Sequence, residues 1–418
     1  MFNNQIAMKY RIALLPVLML MAVTTAGAQQ TWIFTQILQA ALDSHPLIQG
    51  RRSAQAAAQS DREGADWQRF PTLSAEANTH NSGVGVLRLE QPLWTGGRIT
   101  SGIDAAIGRL DAAGAALDET SQELALRVIA GTTEALRQQV RRQHSLAGVK
   151  EHEKLLAMIE RRVKQEVSPL ADQRLAESRL LGATNELSVI TQAFNNALTQ
   201  LTQLSGQPVT VVTERGLSEA GAPVSLDAAL TQALAHSPTL RRLGSEEVTA
   251  DAEIAAKRSV YMPQLALRLE NNVNQSFDGR NQNSESRAML VLSAQPGAGL
   301  SAQSGVSAAI ARRDTARLAR EAAERDIRER VTLDWNELLA ARLRLINALQ
   351  ARTMSIEVFE SYARQYTTGR KTWIDVLNAV REATQSELAA DDAYTQVLAA
   401  SLRLRALSGT LVTTPVAT

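Results

Sequence analysis

The chain has 418 residues, no cysteine and a formal net charge of +1. The missing cysteine excludes disulfides, thiolate metal ligands and thiol catalysis, and the balanced charge excludes a nucleic-acid partner held by a basic face. Aromatics are only 4% of the chain, too few for thick globular cores, whereas abundant Ala, Leu, Glu and Arg point to long helices packed side by side.

Lys9 and Arg11 precede the apolar run Ile12 to Val23, and Ala26-Gly27-Ala28 follows. A positive start, a short apolar stretch and small residues before a cleavage point form a secretory signal, with cleavage expected after Ala28. The run is too short for a stable bilayer-spanning helix. Translation can start at Met1 or at Met8 with the same mature chain. With no cysteine after the run, a lipidated N-terminus is not expected. No later segment is a long uninterrupted apolar run, so any membrane passage after export must be made by β-strands.

The rest of the chain repeats itself. Ala41-Leu42-Asp43-Ser44-His45-Pro46-Leu47-Ile48 corresponds to Ala233-Leu234-Ala235-His236-Ser237-Pro238-Thr239-Leu240. Pro71-Thr72-Leu73 and Pro263-Gln264-Leu265 follow at equal separations. Further on, Gln91-Pro92 matches Gln295-Pro296, Asp172 matches Asp375, and Leu204-Ser205-Gly206 matches Leu407-Ser408-Gly409. These later matches share a larger, nearly constant offset, so the second copy carries an insertion between its strands. The domains expected are a first repeat over 29–206, a linker over 207–224 at mid-height, a second repeat over 225–409 and a tail over 410–418.

Each copy opens with a helix, Trp32 to Trp67 or Leu226 to Arg258. A β-hairpin follows, over about 72–94 or 264–296. Leu265, Leu267, Leu269, Asn271 and Val273 alternate with Ala266, Arg268, Glu270, Asn272 and Asn274, giving one apolar and one polar face. Leu87, Leu89 and Leu93 alternate likewise. Thr72 to His80 and Ala288 to Ala294 supply the other strands. Asn81-Ser82-Gly83 turns the first hairpin, and the polar stretch Gln275 to Glu285 turns the second and absorbs the insertion. Tilted strands of about nine to eleven residues suit a membrane barrel, and four strands cannot close one, because such barrels start at about eight. The chain must therefore oligomerise if these strands are membranous. Trp67, Phe70, Trp94 and Tyr261 gather where helices meet strands. Two readings of them stand: an interfacial belt and aromatic capping of a core.

Arg98 to about Glu166, and Ala302 to about Thr368, lack proline and have helical periodicity. Val331, Leu338 and Leu345 recur at coiled-coil spacing, as do Leu349 and Ile356. Each stretch spans roughly 100 Å at ~1.5 Å per residue. The returns, Asp172 to Leu204 and Asp375 to Leu407, are about half as long, so each is expected to be completed by the other copy's pre-strand helix. The Arg-rich stretch Arg312 to Arg330, interleaved with acids, reads as a solvated helix face. The fold class is mainly α with a small β part.

No catalytic set emerges. His45, His80, His144, His152 and His236 have no acidic partners at metal-ligand spacing, and His144 and His152 read as surface residues. No glycine-rich phosphate loop opens a helix from a strand. No enzyme activity, metal or cofactor is therefore expected. The hairpin tips, about 166–172 and 367–375, are the better functional candidates. Ser168-Pro169 and Gly369 break helices, and Asp172 and Asp375 fall where new helices begin, where a negative charge is favourable.

Leu89-Glu90-Gln91-Pro92-Leu93-Trp94-Thr95-Gly96-Gly97-Arg98, at a strand-to-helix handover, and Tyr366-Thr367-Thr368-Gly369-Arg370-Lys371-Thr372-Trp373-Ile374-Asp375-Val376-Leu377-Asn378-Ala379, at a tip, carry a resemblance to the TolC family of outer-membrane efflux and secretion channels. The resemblance covers nearly all of the mature chain. It departs at Pro296-Gly297-Ala298-Gly299-Leu300, which lacks the aromatic and the Gly-Gly pair. It implies a homotrimer: a twelve-stranded barrel in the outer-membrane lipid, four strands per chain, on a helical tunnel across the periplasm. Implied partners are a periplasmic adaptor, docking at the tips (Ser168, Pro169, Leu170, Gly369, Arg370), and an inner-membrane ABC or proton-driven transporter. Phe70, Trp94 and Tyr261 would mark the membrane interface. Asp375 would line a periplasmic constriction with Asn378 one turn on. Tyr366 and Lys371 would latch neighbouring coils, with Asp172 a partner of suitable charge for Lys371. Many drug-efflux members are lipidated, so the missing cysteine leans toward type I protein secretion over drug or metal efflux. The alternative reading is a periplasmic coiled-coil scaffold or adaptor without a pore.

Overall fold

In the computed structural model, which describes residues 31–78, 83–214, 217, 221–275, 282–295, 297–299 and 301–411, both repeats are present. The expected signal (1–28), His80, Asn81, Ser82, Pro296 and residues 412–418 of the tail lie outside the described residues.

Each copy begins with a broken helix. Strand β1 (Thr31–Ile33) leads into α1 (Phe34–Ser44) and α2 (Pro46–Trp67), and the second copy has α5 (Leu226–His236) and α6 (Pro238–Arg258). The single helices expected over Trp32–Trp67 and Leu226–Arg258 are therefore corrected to two helices each. The cause is Pro46 and Pro238 at the first turn of α2 and α6. Proline removes an N–H and forces the residue before it out of helical geometry. His45 and Ser237 accordingly have ψ of 130° and 116°. Both cap the new helix: His45 Nδ1 accepts from the Leu47 N–H (3.2 Å), and Ser237 Oγ from the Leu240 N–H (3.2 Å). Trp32 and Ile33 are not helical because β1 pairs in parallel with β4 (Val211–Thr213) in the linker.

The hairpins are β2 (Thr72–Asn78) with β3 (Gly83–Trp94), and β5 (Gln264–Gln275) with β6 (Gln282–Ser293). They join in one antiparallel sheet of order β2-β3-β5-β6. At the joint Arg88 stands opposite Glu270 and Glu90 opposite Arg268, with ion pairs of 3.4 and 2.8 Å. Period-two alternation thus gives one face charged and self-paired, the other rich in leucine. Strand β6 starts earlier than expected. Residues Gln282–Glu285, read as turn, pair with Asn272–Gln275. The run Gln282 to Glu285 is polar at every position in the sequence, which periodicity cannot tell from a turn. The insertion is correspondingly divided: β5 has 12 residues where β2 has 7, and more chain joins sheet to helix in the second copy (294–300) than in the first (95–97).

Strand hands over to helix through left-handed glycines in both copies. Gly96 (φ +62°) and Gly97 (φ +92°) serve the first, and Gly297 (φ +83°) and Gly299 (φ +56°) the second. Only glycine adopts this region without steric cost. Separated glycines thus replace the Gly-Gly pair missing from the second copy.

The long helices α3 (Arg98–Lys164) and α7 (Ser301–Thr367) each have 67 residues. The returns α4 (Leu170–Ser205) and α8 (Trp373–Leu407) have 36 and 35. Toward the sheet α3 packs on α2 and α6, and toward the tips on α4 and α8; α7 packs on α5 and α6, then on α8. Each return is therefore continued by the pre-strand helix of its own copy, correcting the expected exchange between copies. Ser44 Oγ donates to the Ser205 carbonyl (3.1 Å) where α4 meets α1, and Gly409 abuts His236 where α8 meets α5. The main core lies at this level, with Ile37, Leu38, Val128, Ile129, Leu201 and Val212 buried together. Of the heptad residues, Val331 and Leu338 are buried against Leu404 and Ala400, with Leu345 packed partly against them, while Leu349 is exposed.

Candidate functional site

The tips are built alike. Helix α3 ends with Glu166 left-handed (φ +57°) and α7 with Gly369 (φ +73°). In each, the next N–H reaches back five residues: Val167 to the Arg162 carbonyl (2.9 Å) and Arg370 to that of Gln365 (3.0 Å). This Schellman closure satisfies carbonyls that a helix end leaves open. Pro169 then caps α4 in extended geometry, and Ser168 Oγ accepts from Arg162 Nε (3.3 Å). Val167, Leu170 and Ile374 are exposed apolar side chains, and Gly369 and Arg370 are exposed beside them.

Trp373 joins the two tips. It is 4% exposed, its ring centroid lies 5.2 Å from that of Tyr366, and its Nε1–H donates to the Asp172 carbonyl (3.1 Å). Tyr366, 7% exposed, also lies under the Arg162 guanidinium (4.9 Å). Leu155, Ile159, Ala176, Val376 and Leu377 complete this apolar cluster, drawn from all four long and return helices. Tyr366 thus sits between the two hairpins of one chain.

Asp375 closes a capping box. Its Oδ2 accepts from the Thr372 N–H (3.0 Å) and hydroxyl (2.8 Å), and its own N–H donates to Thr372 Oγ1 (3.3 Å). The Thr372 side chain above all, then its backbone N–H and the nearby Lys371 charge, hold the Asp375 carboxyl below its ordinary value. Asn378, one turn on, is exposed. The Lys371 ammonium lies 3.9 Å over the Tyr362 ring, and within the chain no ion pair joins it to Asp172 among the described residues. Asp172 occupies the first turn of α4. Away from the tips, Trp67, Phe70, Trp94 and Tyr261 are all exposed.

Two histidines are corrected. His152 is 7% exposed, not a surface residue. His144 lies between Glu387 and Asp391 of α8, 3.6 Å from each. These acids are distant in sequence, and only the packing of α8 on α3 brings them near. Asp391 is 8% exposed, and burial pushes its carboxyl up to about 6, with Glu387 and Asp392 adding to the rise and His144 and Arg352 opposing it. Asp392 is itself paired with Arg141 (2.7 Å). A carboxyl raised above its unfolded value of 3.8 favours the folded seam fully below that value and loses this contribution as pH rises through about 6. Between about pH 5 and about pH 7.5 the α3–α8 seam is expected to weaken by on the order of 1 kcal/mol. Hydrogen exchange at 387–395, corrected for intrinsic rates, should accelerate over this range in the native chain and not in Asp391→Asn. Equal acceleration in both would refute the assignment. No group of three or more metal-ligating side chains that could hold an ion occurs among the described residues, and no described helix is long and apolar enough to cross a membrane.

The sequence matches the family model described as outer membrane efflux protein over residues 37–207 and 229–410, one segment per repeat. No curated protein matches it. The fold is similar to that of a membrane protein from Pseudomonas aeruginosa (TM-score 0.80, 20% identity, 90% of this chain and 92% of that one). It is similar to CusC (0.80, 15%, 90% and 91%) and to the outer membrane protein VceC of Vibrio cholerae (0.77, 15%, 90% and 96%). With both repeats matched and the fold shared nearly end to end, the chain belongs to the outer membrane efflux protein family, the TolC-like channels.

Proposed function

We propose that three copies of this chain close a twelve-stranded barrel in the outer membrane and a helical tunnel beneath it, passing cargo from an inner-membrane transporter through a periplasmic adaptor. One observation carries this reading: the sheet is inside out for water. Its leucine face is exposed, with Leu290 at 67% and Leu292 at 68%, while its charged face pairs internally. A lipid-facing barrel has this arrangement, and the free edges of β2 and β6 would pair between copies and leave none open. Below the sheet, α7 exposes Leu333, Leu343, Ile346 and Met354, and α4 exposes Leu181 and Val189. These flanks suit packing of α7 on the next copy's α4. Exposed Phe70, Trp94 and Tyr261 fit an interfacial belt better than a core cap.

At the far end, three Asp375 carboxylates would ring the narrowest point, with Asn378 beside them, favouring cations. Tyr366, Lys371 and Asp172 would act as the latch between coils, and Ser168, Pro169, Leu170, Gly369 and Arg370 would meet the adaptor. The missing cysteine supports type I protein secretion as the use of the duct. The family's description as efflux proteins supports drug or metal efflux as the second reading, and a deletion strain scored for secreted protein and for drug or metal sensitivity separates them. Fractionation tests the duct itself. The chain is expected to stay in the outer membrane through an alkaline wash and to run as a detergent-stable trimer. Release as a soluble periplasmic protein would instead establish a scaffold.

A further inference from the structure

Where α3, α4 and α8 converge lies a cavity of about 150 Å³ that shares no lining residue with the tip cluster. His152 of α3, Arg179 of α4 and Arg381 of α8 line it, with Ser178 and Thr384 adding hydroxyls. His152 is more than nine-tenths buried. Its Nδ1 and the Nε of Arg179 are both buried without a hydrogen-bond partner. Two such orphaned groups facing one space need a cause. Neither Arg179 nor Arg381 forms an ion pair with a carboxylate among the described residues. The space exists because two glycines line it: Gly182 has nothing where a side chain would stand, and at Gly148 an added Cβ would lie 3.1 Å from Thr384.

We propose that a small inorganic oxyanion, of the phosphate or sulfate class, binds in this cavity on Arg179, Arg381 and His152 and bolts the two helical hairpins together. The planar guanidinium donors match oxyanion geometry. A void of this size accepts an organic molecule as large as benzene, so a tetrahedral anion fits. Without an anion, α4 and α8 bring the positive charges of Arg179 and Arg381 to one cavity, and neither is paired with a carboxylate among the described residues. With one, α4 and α8 share a counter-ion. Burial, then the Arg179 charge, holds the His152 imidazole below its ordinary value, with Glu151 opposing. A bound anion offsets both effects, so binding takes up a proton on His152 and tightens as pH falls. Glu186 is the one carboxylate on the lining; it is exposed at the rim and competes with the anion.

Inorganic sulfate, a dianion throughout, is titrated calorimetrically into the detergent-purified full chain at fixed ionic strength, at about pH 6 and about pH 7.5. The expected result is one saturable site per chain, competed by phosphate and tighter at the lower pH. Arg381→Gln, at an exposed position, should weaken it by about tenfold or more. Glu186→Gln should strengthen it, and Arg174→Gln, one turn away and outside the cavity, should change nothing. Absence of saturable binding, or equal affinity in the native chain and Arg381→Gln, overturns the proposal. Equal weakening by Arg174→Gln also overturns it, since that would mark general surface charge.

Discussion

Replacing Trp373 with alanine is expected to remove about 3–5 kcal/mol of local stability from the joined tips, the usual cost of emptying a buried tryptophan site. The effect is large because one side chain holds two hairpins. Its ring packs on Tyr366, which also carries the Arg162 guanidinium, and its N–H satisfies the Asp172 carbonyl across the gap. The rest of the chain should not feel the loss, since the tip cluster and the mid-level core share no residues. Hydrogen exchange should therefore rise at 155–176 and 362–380 and stay unchanged at 124–136. Trp373→Phe keeps most of the packing and loses the N–H donor, so it should cost only about 1 kcal/mol. Unchanged tip exchange in Trp373→Ala would show that the hairpins are held by something else. In the proposed duct this variant should also leak, because the closed end rests on the same joint.

Asp375 carries the second large effect, on selectivity rather than folding. Asp375→Ala is expected to raise anion permeation and to abolish block by multivalent cations in planar bilayers. The carboxyl has two duties, charge and cap, and Asp375→Asn separates them. The amide still accepts from the Thr372 N–H and hydroxyl, as the carboxylate does now, but carries no charge. It should match Asp375→Ala in selectivity and the native chain in tip exchange. Because Thr372 and Lys371 hold the carboxyl below its ordinary 3.8, it stays ionised at neutral pH. Its contribution is lost only as pH falls through that lowered value, so cation preference should be flat between about pH 5 and about pH 8. Ion selectivity unchanged in both variants would remove Asp375 from the constriction.

Much of this architecture is legible in the sequence where a local signal repeats over many residues. The lack of proline and the helical periodicity bound α3 and α7 within a residue or two. Strands β3 and β5 show in alternation alone. Features that depend on a single residue or on distant packing are not legible in the same way. Pro46 and Pro238 split helices whose apolar pattern continues on both sides. The β1–β4 pair is three residues long, below any period. The partners of His144 come from α8, and Trp373 finds the Asp172 carbonyl only after both hairpins fold. The tips themselves show in their helix breakers and in the repeat, while the roles of their residues come from resemblance, and the structure adds the means by which those residues are held: a capping box for Asp375, burial for Tyr366 and an aromatic face for Lys371.

Four strands per chain are, in the proposed duct, an incomplete barrel. Electron cryo-microscopy of the chain extracted from outer membranes tests it most directly. Threefold particles are expected, in which β6 of each copy pairs with β2 of the next, closing twelve strands above a continuous helical tunnel. Monomeric particles, or an assembly whose β2 and β6 edges stay unpaired, would contradict it.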